Sequence, residues 1–190
     1  MARTPSNMIE LGSKAPDFKL VNTIDNELIS SNDLFKKKGV LIMFICNHCP
    51  FVIHVIDEIV KIGKEYENNI SFIAISSNDV ENYPDDSPEL MKLLAKEKEF
   101  NFPYLYDESQ EVAKMYDAAC TPDFFLYDSE KNLVYRGQLD GSRPGNEITI
   151  TGFDLRNAID CLISDVENTE VQKPSICLLY TSPSPRDLVI

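Results

Sequence analysis

The run Val40-Leu41-Ile42-Met43-Phe44-Ile45 is unbroken by any polar residue, and it leads directly into Cys46-Asn47-His48-Cys49-Pro50. A short run of this kind suits a strand covered on both faces. The chain must therefore supply layers above and below one sheet. Beyond Pro50, Phe51, Val52, Val55, Ile56, Ile59 and Val60 recur at three- and four-residue spacings, with Asp57, Glu58, Lys61 and Lys64 among or just beyond them. That spacing predicts an amphipathic helix of about four turns, so the local order is strand, CxxC, helix.

The remaining elements follow the same logic. GSKAPDFKLVNT (12–23) opens on turn formers and alternates into a strand, residues 27–30 make a second, and Ser31-Asn32-Asp33 can cap a brief helix. ISFIAIS (70–76) reads as another buried strand, and Ser87-Pro88 starts a helix over 89–100. A short helix at 110–116 precedes two strands, 123–127 and 133–139, whose connection 128–132 predicts a β-hairpin. A final helix over 153–166 places Leu155, Ala158, Ile159 and Leu162 on one face. Alternating strands and helices predict a sheet that is largely parallel in its first part. A length of 190 residues suits one domain.

Charge narrows the partners. With 18 basic and 31 acidic residues the net charge is −13, a field that repels phosphate backbones and anionic headgroups, so neither nucleic acid nor a membrane surface is an expected partner. No apolar stretch reaches the length of a membrane span, and the opening MARTPSNMIELGSKAP lacks the pattern of a secretory signal. The expected location is the cytoplasm. Five cysteines, an odd number, argue there against a structural disulfide framework and for reactive or buried thiols.

The CxxC carries the chemistry. Between strand and helix, Cys46 is expected at the first helical turn, exposed, where unpaired N–H groups and the helix dipole favour a thiolate, with Cys49 more buried and close enough to form a small disulfide ring. His48 between them, when protonated, would favour the reduced thiolate and make the disulfide more oxidising; the plainer reading is a solvated loop histidine. Zinc needs four ligands, and Cys120, Cys161 and Cys177 are scattered while the histidines number two, His48 and His54. No metal and no cofactor is expected, and His54 reads as a packed or surface residue. In Cys120-Thr121-Pro122 the X-Pro bond enters a strand, a place where a cis peptide is tolerated. Cys120 is read as a packed cysteine or a third redox thiol near the same groove, and Arg143, in the loop DGSRPGN, as a solvated cation or a thiolate-stabilising one.

These features together resemble the thioredoxin superfamily. GSKAPDFKL, FPYLYDESQEVAKMYDAA and LVYRGQL are similar to its redoxin and peroxiredoxin (AhpC/TSA-like) branch, and CNHCPFV, ACTPDFFLYD and YRGQLDGSRPGN to a peroxiredoxin-like group of bacterial thioredoxin-domain proteins. The resemblance, over about residues 9–175, implies an α/β thioredoxin fold: a central mixed sheet with helices on both faces, an N-terminal extension and an insertion of the redoxin type. It implies that Cys46 attacks, Cys49 resolves, Pro122 is the cis-proline facing them, and the backbone of Thr121 pairs with an extended substrate. The implied activity is thiol-disulfide exchange with protein or small-molecule disulfides and thiols. Alternatives are a peroxiredoxin-like thiol peroxidase acting on peroxide, and a redox-sensing or client-binding module without turnover.

The chain departs from the pattern in three places. Peroxiredoxins carry Pro and Thr/Ser seven and three residues before the peroxidatic cysteine; those places hold Gly39 and Met43 before Cys46, and Ile42 and Cys46 before Cys49. VLIMFI lacks the buried acid of thioredoxins, which leaves the proton acceptor unassigned. Relatives of the narrower group continue after Pro-Ser-Ile with Gly-Cys-Asn, whereas Ile176 runs into CLLYTSPSPRD, which looks like translated adapter or cloning sequence. The domain is therefore drawn over 1–175, with 176–190 a non-native or disordered tail. On that reading Cys177 has no role, and truncation after Ser175 is expected to leave stability and Cys46 reactivity intact.

Overall fold

In the computed structural model, which describes residues 3–178, the chain begins with β1 (Arg3–Pro5), β2 (Lys19–Asn22), β3 (Leu28–Ser30) and β4 (Gly39–Phe44). Helix α1 (Pro50–Glu65), β5 (Ile70–Ser76), α2 (Pro88–Glu97), β6 (Tyr104–Tyr106) and α3 (Glu111–Met115) follow. The chain then makes β7 (Asp123–Asp128), β8 (Leu133–Gly137), α4 (Phe153–Ile163) and β9 (Ile176–Leu178). Seven strands form one sheet in the order β3-β2-β6-β5-β4-β7-β8, and β1 pairs with β9 in a separate two-stranded ribbon. β4 runs parallel to β5 and antiparallel to β7, so the sheet is mixed, as expected from a βαβ half followed by a hairpin.

Strand β4 is the centre of this arrangement because its two faces feed two cores. Leu41, Met43 and Ile45 pack with α1 residues Val52, Val55, Ile56 and Ile59 and with Leu155 and Ile159 of α4. Val40, Ile42 and Phe44 face Phe18, Val112, Ala113 and Tyr116 on the other side, which includes α3. The period-two alternation of a pleated strand thus divides one apolar run between two hydrophobic layers. Helices cover both faces, which is the thioredoxin fold.

Local signals set the helix starts. Cys49 is the N-cap of α1, with Pro50 in the first turn, where its missing N–H removes no helical hydrogen bond. Ser87 caps α2 through its hydroxyl, which accepts from the Leu90 N–H at 3.4 Å. The brief helix at Ser31–Asp33 is a single 3-10 turn. Among the described residues no helix is long and apolar enough to cross a membrane.

Three short strands escape the sequence reading. β6 pairs with β2 and β5, and its position between them comes only from the tertiary arrangement. β1 and β9 bring opposite ends of the chain together in antiparallel register, Thr4 opposite Cys177. Residues 176–178, placed in the tail by the boundary at 175/176, are thus ordered against β1. The segment before them is also fixed: the Gln138 N–H donates to the Lys173 carbonyl at 3.0 Å, and Gln172 bonds to Val134 and Arg136 of β8. The rest of the expected tail, 179–190, lies outside the described residues.

Candidate active site

The CxxC loop is the short bridge between β4 and α1. Ile45 still donates to Ile75 in the sheet at 3.0 Å, and by Cys49 the carbonyl already accepts from Val52 and Ile53 at 3.0 and 2.9 Å. Cys46 therefore precedes the N-cap by three residues and does not sit in the first helical turn. Nor is it the exposed member of the pair: Cys46 is 1% and Cys49 4% exposed. The expectation of an exposed Cys46 fails because the run that buries β4 continues through Ile45 and Cys46, while the helix N-terminus falls on Cys49.

A fully buried carboxylate holds this loop. Asp86, from the 3-10 turn Pro84–Asp86 between β5 and α2, accepts through Oδ1 from the N–H groups of Asn47 (2.7 Å) and His48 (3.2 Å). Its Oδ2 lies 2.6 Å from His48 Nδ1 and accepts from Asn78 Nδ2 at 2.8 Å. Asn47 is held further by its donation to the Asp85 carbonyl (2.9 Å) and by the hydroxyl of buried Tyr104, which donates to Oδ1 at 3.1 Å. The His48 ring stacks on Tyr83 with centroids 4.6 Å apart and planes 9° from parallel. The hydrogen bond to Asp86 raises the His48 pKa above its usual value against the opposing effect of burial, and the charges of Asp86 and Cys49 add to the rise. His48 is thus fixed beside the thiols by Asp86, in surroundings that favour its protonated form, rather than standing as a solvated loop residue.

Asp86 is the functional residue that sequence reasoning missed. In SNDVENYPDDSP it reads as one of several loop acids, and only its burial and four N–H donors distinguish it from Asp85. It brings a buried acid to the site that strand β4 lacks, from the connection between β5 and α2.

The opposite wall is Thr121-Pro122, whose peptide bond is cis. Cys46 Sγ lies 3.6 Å from Thr121 Oγ1, and the Cys49 thiol, when protonated, donates to the Thr121 carbonyl at 3.3 Å. Cys49 also lies 3.6 Å from Cys177 Sγ. Hydrogen bonds from Cys177 and then from Cys46 hold the Cys49 thiol down to about 2, against burial. Cys46 is pushed up by its hydrogen bond to Cys49, by burial and by the Asp86 charge. Two neighbouring thiols cannot both ionise cheaply, and the helix N-terminus with its extra S–H donor favours the charge on Cys49.

The other expected site residues are nearby but differently engaged. Cys120 lies beside the cis-proline, its Sγ 3.8 Å from the Pro122 carbonyl. Arg143 donates to the carbonyls of Asp140 and Ser142 at 2.7 and 2.6 Å and to Gln138 Oε1 at 2.5 Å, which shapes the 138–146 loop. Its guanidinium serves loop carbonyls instead of a thiolate. His54 is packed, with Nε2 2.7 Å from Ser142 Oγ, and ties α1 to that loop. Cys46, His48 and Asp86 each bring a ligand-type atom within 4.8 Å of the others. With Asp86 engaged by four N–H donors, the arrangement is that of a hydrogen-bonded dyad beside a thiol.

The AhpC/TSA family profile matches residues 11–136, which span β2 to β8 and the whole CxxC–Thr-Pro constellation. The chain belongs to the AhpC/TSA family. It is also similar to an uncharacterised conserved protein from Geobacillus kaustophilus, at 53% identity and a TM-score of 0.90 over 93% of this chain and 94% of that one. A hypothetical protein from Sinorhizobium meliloti 1021 is 42% identical with a TM-score of 0.89, covering 92% and 95% of the two chains. The thioredoxin domain of a thiol-disulfide oxidoreductase from Bacteroides vulgatus shares the fold at 21% identity and a TM-score of 0.63, over 82% of this AhpC/TSA-family chain and 99% of that domain. No curated protein matches the sequence.

Proposed function

We propose that this AhpC/TSA-family protein is a thiol-disulfide oxidoreductase working through Cys46 and Cys49 in the cytoplasm. The observation that carries the reading is the placement of two thiols at a strand–helix junction, one of them at the helix N-cap, both against a cis Thr-Pro. The reduced pair gives two electrons to a substrate disulfide: a thiolate attacks one sulfur and the first substrate thiol leaves with a proton. The second cysteine then attacks the mixed disulfide, the second substrate thiol leaves, and Cys46–Cys49 remains oxidised. Asp86 favours the protonated form of His48, and His48, when protonated, favours the thiolate form and so makes the pair more oxidising.

A peroxidase reading has one observation in its favour, the Cys49 thiol held down to about 2. On that reading Cys49 thiolate and a hydroperoxide give a sulfenic acid and an alcohol, and Cys46 condenses with the sulfenic acid, releasing water. With Cys49 as the peroxidatic cysteine, the places of the usual proline and hydroxyl hold Ile42 and Cys46, and this favours disulfide exchange.

The test is reduction of insulin by dithiothreitol, followed by turbidity, for the wild type, Cys46→Ser and Cys49→Ser. The wild type is expected to accelerate the reaction, and each variant to lose at least about 100-fold in rate. A wild type that fails to accelerate insulin reduction but consumes thiol in proportion to added hydroperoxide would overturn this assignment in favour of the second.

A further inference from the structure

The redox pair lies at the carboxyl ends of β4, β5 and β6, three strands that run parallel, and the connections that leave them surround it. From residue 65 to 91 and from 99 to 113 the chain holds no lysine or arginine, while the run 79–89 alone holds five acids. Asp86 is engaged with His48 and the CxxC loop, but Glu81, Asp85 and Glu89 are exposed. The run is tied to the thiols at two points. The Asp85 carbonyl accepts from Asn47 Nδ2 at 2.9 Å, and Tyr83, stacked on His48, donates its N–H to the Asp79 carbonyl at 2.9 Å. After Asp86 and Cys49, the Asp85 charge adds to the rise of the His48 pKa, so it acts at the site itself. Arg143, on the facing wall, turns its guanidinium to the carbonyls of Asp140 and Ser142 and to Gln138. The rim of the pair is therefore negative on the side of the β5–α2 connection.

We propose that Glu81, Asp85 and Glu89 select the substrate of the Cys46–Cys49 pair by charge: disulfides flanked by positive groups, as in a lysine- or arginine-rich segment, are taken, and anionic ones such as glutathione disulfide are disfavoured. The proposal rests on the dithiol reading and names the substrate class for it. The rim is not a binding site of its own; the ligand it acts on is the disulfide that attacks or is attacked at the thiols beside Thr121. The reaction is the exchange already described, in which the dithiol gives two electrons, an internal disulfide forms, and two substrate thiols leave with the two protons. Attraction between the rim and a cationic disulfide raises the rate of encounter, and like charge against an anionic one lowers it. The thiolate that attacks is itself negative, so the field and the nucleophile discriminate in the same direction.

The experiment uses the reduced full chain at neutral pH and low ionic strength, oxidised by cystamine (a dication), 2-hydroxyethyl disulfide (neutral) or glutathione disulfide (a dianion). Samples are quenched by alkylation, and closure of the internal disulfide is followed by mass in the tryptic peptide 39–61, which holds Cys46 and Cys49. Each rate is divided by that for the neutral disulfide, so that general changes in thiol reactivity cancel. In Glu81→Gln/Asp85→Asn/Glu89→Gln the cystamine ratio is expected to fall about 5-fold or more and the glutathione disulfide ratio to rise by a similar factor. A second variant, Glu27→Gln/Glu130→Gln/Glu170→Gln, removes the same charge from exposed positions on other segments and is expected to shift either ratio less than about 2-fold. In 1 M salt, where the screening length is about 3 Å, wild type and both variants should converge. Ratios that do not move in the rim variant, or that move equally in the two variants, would overturn charge selection by these residues and leave the dithiol reading standing. If the wild type fails to close Cys46–Cys49 even with the neutral disulfide, the dithiol reading falls, and the selection with it.

Discussion

Asp86→Asn is expected to lower unfolding free energy by about 2 to 4 kcal/mol, because it removes a buried charge on which four N–H donors converge. An asparagine of the same shape keeps one acceptor and turns an NH2 group toward donors that then have no partner. Part of the loss depends on pH. Since Asp86 raises the folded pKa of His48 above its usual 6.5, the attraction contributes fully below that value and is lost as pH rises through the folded one. The difference between wild type and Asp86→Asn in urea denaturation should therefore be larger at pH 6 than at pH 9. His48 is about a quarter exposed, which limits the pH-dependent part; the bonds to Asn47, Asn78 and the His48 backbone persist at both. The His48 ring protons, followed by NMR, should titrate at lower pH in the variant. Equal stability losses at pH 6 and 9 with an unchanged His48 titration would show that the ion pair is not formed.

Gly137→Ala is expected to cost about 3 kcal/mol or more and to loosen the C-terminal segment from the site. Gly137 ends β8 with φ +128°, which side-chain-bearing residues rarely adopt, and a Cβ there would lie 2.1 Å from the Lys173 carbonyl oxygen. That carbonyl accepts the Gln138 N–H and positions the run through Ser175 to Cys177. The obstacle is backbone, so it cannot rotate away. Alkylation of Cys49 by iodoacetamide should become several-fold faster in Gly137→Ala than in the wild type as β9 withdraws from its sulfur. Unchanged alkylation in a variant that is nevertheless destabilised would mean that the clash is absorbed without moving β9.

The contrast between Asp86 and Cys46 shows what was legible before the structure. β4, α1, β5, the hairpin of β7 and β8, and α4 follow from periodicity because each buries a face long enough to leave a pattern in the sequence. β6, β1 and β9 are three residues each, too short for any period, and exist because partners distant in sequence supply their hydrogen bonds. The thiol pair, His48 and Thr121-Pro122 were readable because one turn of chain and one X-Pro bond define them. The assignment of more exposure to Cys46 failed because periodicity cannot say at which residue burial ends and the helix begins.

What the sequence determined alone is the candidate groups of the site and the layered fold that carries them: an apolar run demanding cover on two faces, a CxxC at its end and a proline before the hairpin. What the tertiary structure decided is how those groups are charged and covered. Asp86 reaches His48 across 38 residues and Cys177 reaches Cys49 across 128, and no local preference encodes either contact. Both depend on how the β5–α2 connection and the last strand are laid over one end of the sheet, and the acidity of a thiol is set by its neighbours in space.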